Sequence, residues 1–285
     1  MILSAFILAI AAYAGAAALA VWHVRTGAER APRWAGRLSA AGFAFHSAFL
    51  LWWGIASGRL PAYTPFEAVA SFLWCAMAGY FVLGRSLRRR ALGAFVLPLV
   101  AAGGIALLAL VSPHTEPARD STSWWVPVHA ASSLLGAADF VVAFAVAVLY
   151  LLQRRLLKRK TIGPLMARLP ALETLDRANY LAVALGLPVF TFALISGVVL
   201  AAETGPGWWA NWMVAASLLA WLVFALLLHV RMGAGMRGPK VAYLTILGSL
   251  LVAAIVCGIA FASDSLHRLR PEGGPAPVEA PRDAS

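Results

Sequence analysis

The sequence predicts an all-α, polytopic membrane protein: a helical bundle of about eight transmembrane helices, with the N and C termini both on the outer face. Three observations carry that prediction. Of 285 residues, 61% are hydrophobic and only 12% charged, with mean hydropathy +0.80. A soluble domain of this length has no means of hiding so much apolar surface, so lipid must be part of its solvent. Eight stretches approach the ~20 apolar residues that cross a hydrocarbon core, and the connections between them alternate in charge.

The first stretch, Ile2–Trp22, has small residues near its end, as a cleaved signal peptide would. It lacks a positive leading region, and its charges follow the apolar run, so it is expected to stay as a transmembrane helix. Leu38–Ser57, Tyr63–Gly84, Ala91–Ser112 and Val126–Leu152 follow, then Tyr180–Ala202, Trp208–Val230 and Val241–Ala262. Each must be helical, because lipid offers backbone polar groups no other partner.

Arg25, Arg30, Arg33 and Arg37 come after the first stretch, and Arg85, Arg88, Arg89 and Arg90 after the third. Arg154, Arg155, Lys158, Arg159, Lys160, Arg168 and Arg177 come after the fifth, and Arg231, Arg237 and Lys240 after the seventh. The intervening loops hold Arg59, Arg119 and, in the last case, no basic residue. Basic loops stay on the inner side, which places both termini outside.

A net charge of +11 and a pI near 10.6 suggest nucleic acid at first sight. The basic residues are confined to short loops and form no separate face, so membrane orientation accounts for them and no nucleic-acid partner is expected. Cys75 and Cys257 each fall inside a span; with no CxxC spacing they read as buried structural thiols. Within the Gln153–Asn179 connection, the run Leu169–Asp176 suggests a short amphipathic helix on the inner surface. Residues 1–269 form one transmembrane domain, and the Pro-, Gly- and Ala-rich stretch 270–285 reads as a disordered outer tail.

Histidines are the chemistry-bearing residues. His46 and His229 fall inside apolar spans, while His129 and His267 fall where spans meet the outer face. Trp208, Trp209 and Trp212 stand at the outer start of the seventh span, and Trp124 and Trp125 just before His129. Imidazoles are unfavourable in lipid and good iron ligands, and indoles offer flat faces to a porphyrin. His46 is nine residues past Arg37, roughly 13 Å deep, and His229 is about 17 residues below Trp212, roughly 25 Å inward. The depths divide into an outer couple, His129 with His267, and an inner couple, His46 with His229, each a pair of ligands for haem iron. Alone, each histidine is equally explained as a helix–helix hydrogen-bond partner, and each tryptophan as an interfacial anchor. Asp139, near the midplane, and Glu67, near the outer start of the third span, are expected to orient ligands or brace the site.

The residues that carry a family likeness run from about Gly36 to His267. They include Phe45-His46-Ser47 leading to Leu60-Pro61 and Phe66-Glu67-Ala68, then His129 with the run ending Leu149-Tyr150-Leu151, and Leu172-Glu173-Thr174-Leu175-Asp176-Arg177. Trp221, Leu228-His229-Val230-Arg231, Gly235-Met236-Arg237-Gly238 and His267 complete the set. Together they resemble the CcsA/CcmC-type, haem-handling membrane proteins of cytochrome c assembly, in particular the compact CcsA/HemX/YpjD-like branch. Gly207-Trp208-Trp209-Ala210-Asn211-Trp212 has the aromatics of that family's Trp-Gly-X-X-Trp-X-Trp-Asp segment without its aspartate.

The resemblance implies a multi-pass protein of the bacterial cytoplasmic membrane that moves haem b or presents it at the outer face. It implies His46 and His229 as intramembrane ligands, and His129 and His267 as outer ligands flanking the tryptophans. It further implies an apocytochrome c as recipient and a membrane partner of ResB type that assists thioether formation, so that the chain is not an enzyme by itself. Other readings predict different behaviour. A HemX-like regulator of haem biosynthesis would tolerate loss of His129 and His267. A transporter of another small molecule, with Asp139 relaying protons, would show no haem absorbance. A dihaem electron carrier would place two histidines on one helix, and no span here does.

Overall fold

The computed structural model describes residues 2–84, 89–113, 124–160, 166, 168–202 and 212–268, with side chains for all of these except 2, 89–90 and 259–268. Among the described residues the structure is helical, with eight helices long and apolar enough to cross a membrane. These are α1 (Ile2–Thr26), α2 (Ala31–Ser57), α3 (Pro65–Leu83), α4 (Arg89–Leu110), α5 (Trp125–Lys158), α6 (Leu172–Ala202), α7 (Trp212–Gly233) and α8 (Pro239–Arg268). The expected all-helical membrane bundle is what the chain forms.

Helix α5 is the hub. It packs against α6, α8, α3 and α4, while α1 pairs with α2 and leans on α4, and α7 lies on α6 and α8. Small residues set the closest approaches, as expected where lipid supplies no hydrophobic drive between helices. Gly136 of α5 sits against the backbone of Phe190 in α6, where an added Cβ would be 3.1 Å away. Gly42 of α2 admits the Tyr13 ring of α1 in the same manner. At mid-bundle Phe140 stacks on Phe224 at 3.7 Å and meets Phe190 edge-on at 5.5 Å, joining α5, α6 and α7.

Local chemistry sets several helix ends. Pro32 occupies the first turn of α2, where its missing N–H is harmless, and Gly58 closes that helix in the left-handed region at φ 66°. A capping box opens α3: the Thr64 side chain accepts from the Glu67 N–H, and the Glu67 carboxylate accepts from the Thr64 N–H.

Three expectations are corrected. Helix α2 starts at Ala31, not Leu38, because its first turns carry Arg33, Trp34 and Arg37, an interfacial set that hydropathy discounts. The residues from Leu172 onward are not a separate surface helix but the first turns of α6. No breaker lies between Pro170 and Tyr180, and the new turns are tied down by Arg231 of α7, which grips the Asp176 carboxylate at 2.6 Å. Asn179 extends the anchoring, donating to the Ala143 carbonyl of α5 and accepting from Thr245 of α8. Finally, Cys257 is exposed on α8 rather than buried, and Cys75 is only partly covered. The expected tail, 270–285, lies outside the described residues.

Candidate functional site

His129 stands in the second turn of α5, one turn after the stacked pair Trp124 and Trp125, whose rings are 4.0 Å apart. Its Nδ1 is 3.0 Å from the Ala193 carbonyl of α6, with the hydroxyls of Ser196 and Ser133 at 3.4 and 3.5 Å. A carbonyl oxygen can only accept, so Nδ1 carries the proton and Nε2 of the neutral ring keeps its lone pair. This is the tautomer a metal-ligating imidazole requires, held by the backbone bond that commonly orients such ligands. Gly197 leaves room for the ring: a Cβ there would lie 2.7 Å from Cε1.

The same ring lines a cavity of about 230 Å³ between α5, α6, α7 and α8, with Phe72 of α3 also lining it. Its walls are apolar apart from His129, Ser133 and Ser217. Trp212, the first residue of α7, is half-exposed and lies on Gly258 of α8, where any Cβ would collide with the indole. The Trp212 indole therefore stands at the same end of the bundle as the His129 cavity. His267 lies on the last turn of α8, eleven residues beyond the cavity residue Val256 and about 16 Å further along the helix. Its side chain, and Trp208 and Trp209 entirely, lie outside the described residues. The helices that carry the outer couple, α5 and α8, do pack together.

His46 lies elsewhere. It is fully buried, ringed by Phe6 and Tyr13 of α1 and by Phe49 one turn on, with centroids 5.1 to 6.5 Å away. Nδ1 meets the Tyr13 hydroxyl at 3.5 Å. Nε2 is buried without a hydrogen-bond partner; the Ala70 backbone approaches the ring without completing one. Phe6 also packs on Phe66, the second residue of α3, so His46 belongs to the arginine-poor half of the bundle and not to the inner half expected from its distance to Arg37.

Glu67 braces this region. At 2% exposure it accepts from both guanidinium nitrogens of Arg59 (2.7 and 2.9 Å), Trp53 Nε1 (2.9 Å) and the Tyr63 N–H (2.8 Å). Trp53 packs in turn on Phe49 and Phe66, which join Phe6 in the His46 cage. A buried carboxylate with this many donors is a fixed point, not a residue reaching for water.

The inner couple is not assembled in this conformer. His229 is exposed near the arginine-rich end of α7, and α7 packs on α6 and α8 whereas α2 packs on α1 and α3. Asp139 does not reach His46 either; its carboxylate lies against Gly186 of α6, where a Cβ would be 2.8 Å from Oδ2. Among the described residues, no three His, Cys, Asp or Glu side chains cluster as a metal centre. A neutral imidazole on an apolar cavity is a donor that suits the iron of a flat macrocycle.

Sequence reasoning missed the partners that define both histidines: Tyr13 and Phe6 around His46, and Ala193, Ser196 and Gly197 around His129. None is adjacent in sequence. The capping box that fixes Glu67 was missed as well, although Thr64-Pro65-Phe66-Glu67 carries its signature.

Comparison with known proteins adds an independent line. A family model described as "Cytochrome C assembly protein" matches residues 62–267. A Chlamydomonas reinhardtii protein named "Cytochrome c biogenesis protein CcsA" is 27% identical over 225 residues, covering 74% of this chain and 61% of that one. Its namesake in Guillardia theta is 26% identical over 237 residues, covering 75% and 77%. The Gloeobacter violaceus protein of the same name is 24% identical over 274 residues, covering 75% and 79%.

Proposed function

Because this chain belongs to the cytochrome c assembly protein family, we propose that it binds haem b at the outer end of the bundle and presents it to an apocytochrome c. The observation that carries this reading is His129: Nδ1 committed to the Ala193 carbonyl, which leaves Nε2 of the neutral ring as an acceptor, and the ring on an apolar cavity at the Trp212 end of the bundle. That environment favours a flat apolar ligand with an iron at its centre over a hydrated solute.

His129 and His267, at the far end of α8, are the residues proposed to hold the haem iron. Trp208, Trp209 and Trp212 are the proposed shield over the macrocycle. Haem, when bound, would supply an iron for imidazole ligands and a periphery to which cysteines are joined. The cavity of about 230 Å³ is smaller than the ~300–1,000 Å³ of pockets that enclose drug-sized ligands. A cavity of that size suits transient delivery better than storage.

His46 is the proposed ligand of a transit station, since Nε2 is buried and free of partners. His229 joins it only in a conformer that brings α7 to α2. A membrane partner of ResB type is proposed to assist bond formation, in the bacterial cytoplasmic membrane. The test is purification in mild detergent with an absorption spectrum. The wild-type protein is expected to carry a Soret band that weakens in His129→Ala and His267→Ala. Wild-type protein without haem absorbance, from cells that make ample haem, would overturn the proposal.

A further inference from the structure

A second cavity, of about 510 Å³, opens at the arginine-rich end between α1, α2, α3 and α4, far from His129. Its rim carries His23, Arg33 and Arg37, and its floor is apolar, with Ala20, Ala40 and Leu97. Arg33 and Arg37 are one turn apart on the same face of α2. Both are exposed, and neither is in an ion pair among the described residues. Arg37 lies over the Trp34 ring, 5.0 Å from its centroid, and Glu29, the one carboxylate of the α1–α2 turn, pairs with neither arginine.

Two further features make the rim positive. The cavity borders the first turns of α2, whose N-terminal N–H groups receive no side-chain cap. The positive end of that helix dipole thus adds to the guanidinium charges. At the facing end of α1, Arg168 covers the carbonyls of His23 and Val24, so the negative end of that dipole is neutralised. His23 Nδ1 donates to the Ala28 carbonyl at 3.0 Å, which fixes the ring at the rim.

A cationic rim above an apolar floor, at the level of the inner membrane surface, matches an anion carried on a hydrocarbon body. The geometry points to a site for the phosphodiester headgroup of an anionic phospholipid, with Arg33 and Arg37 as its charge partners. The site is independent of haem binding at the other end.

Native mass spectrometry of the full chain, released from nanodiscs of mixed phosphatidylglycerol and phosphatidylcholine, tests it. Wild-type protein is expected to retain phosphatidylglycerol preferentially. Retention should fall by about fivefold for each arginine removed in Arg33→Gln and Arg37→Gln, and further in the double variant. The single variants keep the test decisive if the double one fails to fold. Lys158→Gln with Arg159→Gln removes the same charge at the end of α5 and should leave retention unchanged. Three results would overturn the site: unaltered retention in the arginine variants, an equal loss in the Lys158/Arg159 control, or full displacement by millimolar inorganic phosphate, which would mark a free-ion site.

Discussion

Replacing Gly197 with alanine disturbs the His129 ring without removing it. The new methyl would lie 2.7 Å from Cε1 and 3.1 Å from Nδ1, and ordinary contact begins near 3.4 Å. The ring must therefore recede by about 0.7 Å from α6. Ala193, whose carbonyl holds Nδ1 at 3.0 Å, is on the same helix one turn away, so that movement lengthens the bond past hydrogen-bonding range. The direct loss is ~1 kcal/mol of hydrogen bonding, and loosened orientation of a ligating histidine typically weakens metal affinity about 10–100-fold. Haem titration in detergent should accordingly show Gly197→Ala at least about tenfold weaker than wild type. Gly186→Ala is the matched control: it crowds the same α5–α6 seam, 2.8 Å from Asp139 Oδ2, but eleven residues and about 16 Å away along the helix. It should lower stability and spare haem affinity. Wild-type affinity in Gly197→Ala, or equal weakening by both variants, would refute the reasoning.

Glu67→Ala strips acceptors from Arg59, Trp53, Tyr63 and Thr64 at once. Losing these charge-assisted hydrogen bonds, with Arg59 a quarter exposed, should cost about 1.5–3 kcal/mol, visible as a lower thermal midpoint, with Glu67→Gln intermediate. His46→Leu should change stability by less than ~1 kcal/mol, because Nε2 has no partner to lose and the Tyr13 contact is long. Its effect should show instead in haem spectra, as loss of any population not removed by His129→Ala. Arg231→Gln and Asp176→Asn should each destabilise the α6–α7 contact, and a double-mutant cycle should give a coupling of about 1–3 kcal/mol.

Spans were legible because lipid imposes one rule, twenty apolar residues between charged connections, and the chain obeys it eight times. The family was legible too, since motifs scattered from Gly36 to His267 fall largely within the matched stretch 62–267. Helix starts at the arginine-rich end were not legible: Arg33, Trp34 and Arg37 lower the hydropathy of turns that are nonetheless helical, and so do Glu173, Asp176 and Arg177 in α6. Depth along a single helix also misplaced His46. Residue counting measures distance from a charge, whereas Phe6, Phe66 and Ala70 report the level at which the side chain is enclosed. Adjacency was the larger gap. Nothing in the sequence says that α1 supplies Tyr13 to His46, or that α6 presents a carbonyl to His129, because the packing partners are chosen by small residues such as Gly42, Gly136 and Gly197. The proposed coupling of His46 with His229 rested on such an adjacency, and in this conformer the helices concerned pack elsewhere.

Imidazole rescue is the most direct test of His129 as an iron ligand. Purified His129→Gly, read by resonance Raman and absorption spectroscopy, should lose the low-spin signature of two axial imidazoles and regain it when free imidazole fills the vacated space. A spectrum identical to wild type before imidazole is added would contradict the assignment of iron to this ring.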